Sequence, residues 1–244
     1  MQRFKAFTLA EVLITLGIIG VLLLFVLPVL INEYKKNIVA IKLKDTYNIL
    51  SNAFNMAIKD NGDVINWDFT SSAYDPTFIN KYIVPYVKST PCSYRQKESI
   101  YTVSGNLGFH LGWMDTGLGP NLDGNMRCLS NGASIAASQN FGRYHKRIII
   151  DINNAEGPNV FGKDIFEAVI VNELYMNDYY FGLTCPKGIS FCNQLNTGSN
   201  TPIPSHDELL KACTNNGGNS NYNTCAYLIM EAGWKVPKDY PIKL

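Results

Sequence analysis

The chain has 244 residues, 21 basic against 20 acidic side chains, 46% apolar residues and six cysteines. A net charge of +1 excludes the broad positive field that non-specific nucleic-acid binding needs, so no nucleic-acid partner is expected. The cysteines, Cys92, Cys128, Cys185, Cys192, Cys213 and Cys225, contain no C-x-x-C pair of the kind a structural zinc site uses.

In chain order, the first feature is an apolar run over residues 7–31 in which Glu11 is the single charge. The run exceeds the roughly 20 residues a helix needs to cross a bilayer core. It passes into Asn32, Glu33, Tyr34, Lys35 and Lys36 without the small-x-small site of a secretory signal. Arg3 and Lys5 precede it, so the positive-inside tendency leaves the N-terminus in the cytoplasm and sends the bulk of the chain outward, although Lys35 and Lys36 weaken that vote. All six cysteines fall on the outward side, which suggests disulfides. An acid at the centre of a membrane helix costs about 2.5–3.5 kcal/mol on insertion scales, which makes Glu11 a functional suspect; the alternative is an interfacial acid at a helix start, where the macrodipole favours it. Pro28 removes a backbone donor and predicts a kink or local unwinding over residues 24–28. Gly17 and Gly20 suit close helix approach and equally suit ordinary membrane-helix composition.

Past the run, Leu43, Tyr47, Leu50, Phe54 and Ala57 recur at steps of four and three, the spacing of one helix face. The helix therefore continues out of the membrane as far as Asn61 and Gly62, residues suited to closing it. Such a rod is roughly 80 Å long. Beyond it, residues 99–103, 107–114, 127–137, 147–152 and 165–171 read as strands, with Asn131-Gly132 as a hairpin turn. The basic group Arg143, Tyr144, His145, Lys146, Arg147 reads as the solvated start of a strand, with a DNA-contacting patch as the rival reading. Ser205 with Glu208 makes a capping box for a helix through residue 212, and residues 224–231, closed by Gly233, form another.

The fold class is α+β: a long N-terminal helix packed on an antiparallel sheet, with disulfide-stapled C-terminal additions. The expected segments are 1–6, 7–31, 32–62 and 63–244. Short separations favour Cys185 with Cys192 and Cys213 with Cys225, leaving Cys92 with Cys128, with free buried thiols as the alternative.

The short basic leader, Ala6, and Phe7-Thr8-Leu9-Ala10-Glu11 with the apolar residues that follow resemble the prepilin signal of type IV pilins and type II secretion pseudopilins. Ala6 stands where that family usually has Gly, and Ala10 where it usually has a bulkier aliphatic residue. The resemblance implies that a prepilin peptidase cuts between Ala6 and Phe7 and methylates the new amine of Phe7. It also implies a helix-weakening Pro28, and a Glu11 that faces the amine of a neighbouring Phe7 in a filament. Residues 1–6 become the leader, 7–31 the transmembrane and assembly helix, and 63–244 an exported pilin-like domain. The partners implied are the peptidase, other pilin or pseudopilin subunits and an inner-membrane assembly platform. The protein is then a single-pass inner-membrane protein that becomes a structural subunit of a secretion pseudopilus or a pilus; the alternative is a membrane-anchored or pilus-tip adhesin. The segments "DINNAEGPNVFGKDIF" and "WKVPKDYP" look like stretches of large prepilin-like proteins.

No enzyme is expected, because His110, His145 and His206 stand apart and neither H-E-x-x-H nor G-x-S-x-G occurs. Asp151, Asn153, Glu156, Asn159 and Asp164 form a set of hard oxygen ligands suited to calcium on a Gly/Pro-shaped loop. The rival reading is that these residues make turns through local side-chain bonds. Gly119-Pro120-Asn121 echoes Gly157-Pro158-Asn159 and favours it.

Overall fold

The computed structural model describes residues 8–70, 77–92, 126–137, 145–154, 156, 160–171, 189–190, 205–214 and 222–244. The expected strands at 99–103 and 107–114, the Cys185–Cys192 pair, Gly119-Pro120-Asn121 and the Ala6–Phe7 junction lie outside the described residues.

One helix, α1 (Leu9–Asn61), runs for 53 residues. It stops where the sequence places a stop: Gly62 sits at φ 76°, and its N–H donates to the Ile58 carbonyl at 2.9 Å. Pro28 lies inside α1, which stays helical over residues 24–28, so of the expected kink or local unwinding the unwinding is not seen. Proline withdraws only its own donor from the ladder, while the neighbouring backbone groups of an apolar segment have no better partner than the helix.

From Val39 onward α1 buries one face, through Val39, Ala40, Leu43, Thr46, Leu50, Ala53, Phe54 and Ala57. A fully buried leucine such as Leu50 contributes about 1.5–3 kcal/mol. The chain leaves α1 through a 3₁₀ turn (Val64–Asn66), α2 (Thr77–Tyr82) and a second 3₁₀ turn (Val84–Tyr86). These bring an aromatic group onto the helix end: Trp67 stacks on Tyr82 at 4.2 Å, and its indole N–H donates to the Gly62 carbonyl.

Among the described residues the sheet has six strands in chain order, β1 (Ser89–Pro91), β2 (Met126–Leu129), β3 (Ser134–Ala137), β4 (His145–Asp151), β5 (Ile165–Val171) and β6 (Ile189–Ser190), each antiparallel to the next. The expected stretch 127–137 forms two strands about the expected Asn131-Gly132 turn, where Gly132 takes φ 85°. The Asn131 side-chain amide donates to Asp45 Oδ2 at 2.8 Å and Thr46 Oγ1 at 3.1 Å, pinning this hairpin to α1.

Alternation sends Ile148 and Ile150 of β4, with their cross-strand neighbours Ile135, Phe166 and Ala168, into the core that α1 covers. Arg147, Ile149, Glu167 and Val169 point to the other face, which is buried as well. This overturns the solvated reading for Lys146 and Arg147, which are 2% and 6% exposed, while Arg143 and Tyr144 lie outside the described residues. With both faces covered, neither parity of β4 reaches water. The Lys146 ammonium lies 5.9 Å from the Phe78 ring centre, and Arg147 faces Glu167 at 3.5 Å.

Two helices, α3 (His206–Thr214) and α4 (Tyr222–Glu231), follow the sheet and are joined by the Cys213–Cys225 disulfide, with Cα atoms 4.9 Å apart. Cys92–Cys128 ties the end of β1 to β2 at a Cα separation of 5.1 Å. Among the described residues no cysteine is free. The final stretch, 232–244, folds back over the domain as a strap. Trp234 packs on Tyr47 of α1 at 5.1 Å, and the Tyr240 hydroxyl donates to the Gly162 carbonyl. The two segments singled out in sequence, 151–166 and 234–241, thus meet at Gly162.

Candidate functional site

At the start of α1, Thr8 is the N-cap, extended at φ −78° and ψ 152°. Its backbone N–H and its hydroxyl both donate to Glu11 Oε2 at 2.8 Å, and the Glu11 N–H donates to Thr8 Oγ1 at 3.3 Å. This is a reciprocal capping box, in which an acid and a hydroxyl three residues apart satisfy donors that the helix itself leaves open. The negative charge also lies at the positive end of the helix dipole. Sequence reasoning treated Glu11 as an anomaly of the apolar run and missed the box. The signal was present as Thr8-x-x-Glu11, the same spacing that identified Ser205 and Glu208, whose box the structure also contains. The peptide amide of Thr8 follows Phe7 directly, so the carboxylate lies one residue from the position where processing would create an amine.

Beyond the box, the apolar side chains of residues 9–31 are exposed. Neither Gly17 nor Gly20 has a neighbour within 4 Å of a Cβ built on it. Ile14, Gly17, Ile18, Val21 and Leu22 line a shallow apolar recess on this stretch. α1 is long and apolar enough to cross a membrane.

The calcium candidates are only partly assembled. Asp151 ends β4 with 1% exposure; its Oδ1 accepts the Asn153 N–H at 3.1 Å, while Oδ2 is buried without a partner. Asn153 Oδ1 is a second buried oxygen without a partner. Asp164 is buried beside the loop neck, where its carbonyl accepts the Ile152 N–H and its Oδ1 accepts the Val160 N–H at 2.6 Å. Glu156 is exposed, and Asn159 lies outside the described residues. Burial pushes the Asp151 carboxyl up to about 7; the charge of Asp164 adds to this, and the N–H bonds from Asn153 and Asn154, with Lys42, oppose it. Turn chemistry accounts for the partnered oxygens. The two orphaned ones fit a hard cation, although among the described residues no group of three or more His, Cys, Asp or Glu side chains converges on one point.

Residues 29–244 match the model of a family described as a family of unknown function (DUF6613), and residues 1–27 match the prokaryotic N-terminal methylation motif. The chain therefore carries a prepilin-type signal of the kind found in type IV pilins and pseudopilins, consistent with processing by a prepilin peptidase. No curated protein and no solved structure matches the chain.

Proposed function

Since the chain belongs to the family of unknown function DUF6613 and opens with a prokaryotic N-terminal methylation motif, we propose that it is a structural subunit of a filament, a minor pilin or a pseudopilin. In this reading the chain is cut between Ala6 and Phe7, methylated on Phe7, held in the inner membrane by residues 7–31, and drawn into a type II secretion pseudopilus or a type IV pilus. The observation that carries the reading is the division of α1. Its first half exposes apolar side chains along its whole length, and its second half is part of the core of a folded domain. A helix apolar all round needs lipid or like helices around it; a subunit that moves from bilayer to filament exchanges one for the other.

Mass spectrometry of the membrane-extracted protein from cells with an active peptidase is the test. The expected chain starts at N-methylated Phe7, and it should be recovered in sheared filaments. An intact Met1 terminus in that material sinks the reading. A second reading concerns the β4–β5 loop: the orphaned Asp151 and Asn153 oxygens support a calcium ion held there, with Asp164 beside it.

A further inference from the structure

Between Ile31, the last residue of the apolar run, and Val39, the first residue that α1 buries against the domain, lie residues 32–38, which belong to neither. They rise roughly 10 Å along an unbroken helix. The polar headgroup layer of one leaflet is about 5–7 Å thick. Residues 7–31 rise about 37 Å as a helix, so a span that tilts to fit them into a hydrocarbon core of about 30 Å sets 32–38 across the headgroups and the water just above them. The spacing is fixed, because the helix neither ends nor unwinds between the span and the domain.

The composition of this stretch suits that layer. Tyr34 is 67% exposed, an aromatic ring with a polar tip of the kind that settles at a membrane interface. Lys35 is exposed, and Lys36 reaches back to Glu33 at 2.9 Å. Lys42 and Lys44 follow, so residues 32–44 carry four lysines against one acid. Basic residues at the outward end of a single span oppose the charge bias that orients it. An anionic surface at that end offsets the conflict, each lysine near it favouring contact by about fivefold.

We propose that residues 32–38 form a collar that docks on anionic phospholipid headgroups in the leaflet from which the domain emerges, with Tyr34 at the interface and Lys35 on the phosphates. The collar holds the domain at a set height above the bilayer until the subunit leaves it. This rests on the reading of residues 7–31 as a membrane span.

The test uses the full chain reconstituted in phosphatidylcholine vesicles and in phosphatidylcholine vesicles containing phosphatidylglycerol. An uncharged amine-acylating reagent is applied, and mass spectrometry reads labelling of Lys35 relative to Lys88, which is exposed on the domain. The ratio is expected to fall several-fold when phosphatidylglycerol is present and to recover at high salt. Inorganic phosphate added over phosphatidylcholine vesicles should leave it unchanged. Equal ratios in the two vesicle types, in a chain that resists carbonate extraction, overturn the collar and leave the span standing. Equal protection by inorganic phosphate also overturns it, in favour of a free-anion site. A chain released by carbonate removes the span and the collar together.

Discussion

Glu11 performs a local task before any partner arrives: its carboxylate closes the helix through Thr8. Substituting Gln keeps the geometry of a capping box while removing the charge, whereas Ala removes both, at about 1 kcal/mol for the lost cap. Both variants are expected to fractionate with the membrane and to be depleted from sheared filaments. If Glu11→Gln assembles like the parent, the cap rather than the charge is what assembly uses. Asp151 gives a second test at this scale. Its carboxyl is raised from 3.8 to about 7, so between those values the folded protein keeps a proton that the unfolded chain releases. The unfolded state then binds fewer protons, and stability falls as pH rises from about 4 to about 7. In chelator, Asp151→Asn should abolish this fall and raise the melting temperature at pH 8. If the loop holds calcium, adding the ion should raise the parent's melting temperature at pH 8 through mass action and leave the variant unmoved. An unchanged parent on calcium addition leaves the turn reading in place.

Among the elements, the strap and the β4–β5 loop meet so closely at Gly162 that no side chain fits there. Gly162 sits at φ 77°, and a Cβ would come within 2.3 Å of Ile242 Cδ1 and 2.8 Å of Cys225 Sγ. Gly132 has a similar φ of 85° but nothing within 4 Å of its Cβ position. Gly162→Ala should therefore cost several kcal/mol by combining backbone strain with overpacking, and Gly132→Ala only about 1 kcal/mol; equal melting-temperature losses would contradict the packing. The strap is also tied to α3 by His206 and Asp239 at 2.8 Å. Hydrogen bonding to Asp239 raises the His206 pKa, and the same bond lowers that of Asp239. The histidine's contribution is complete below its ordinary value near 6.5 and is lost as pH rises through the raised one. Asp239→Asn should accordingly lower the melting temperature at pH 6 and leave it nearly unchanged at pH 9. Which elements were legible follows from where their information lies. The end of α1, the Asn131-Gly132 turn and the cap of α3 are set by residues within a few positions of each other, and sequence showed them. β1 and β6, with three and two residues, exist only through their partners and have no pattern of their own. Lys146 and Arg147 misled because a local charge run says nothing about what covers a distant sheet face. For the candidate site, the prepilin-type motif around Glu11 was plain in sequence, whereas its capping box was not singled out. The orphaned oxygens of Asp151 and Asn153 became visible only with neighbours in place.

At the scale of the molecule, the strands among the described residues pair in chain order, so each can add to the sheet as soon as it follows its predecessor in the chain. Such neighbour-by-neighbour pairing keeps the entropy of loop closure low. The strap behaves otherwise. Tyr240 reaches a carbonyl 78 residues earlier, and Trp234 returns to Tyr47 in the helix that leads the chain. If the chain is threaded outward from an N-terminal anchor, as the proposed function has it, these contacts close after all the described strands have been delivered. The strap is thus a clasp fastened last: until residues 234–244 are through, Tyr47 lacks its Trp234 cover and Gly162 its cap. Under the proposed function, a subunit whose last residues had not emerged would present Tyr47 of α1 without its Trp234 cover, and the order of the chain itself would favour complete subunits in a filament.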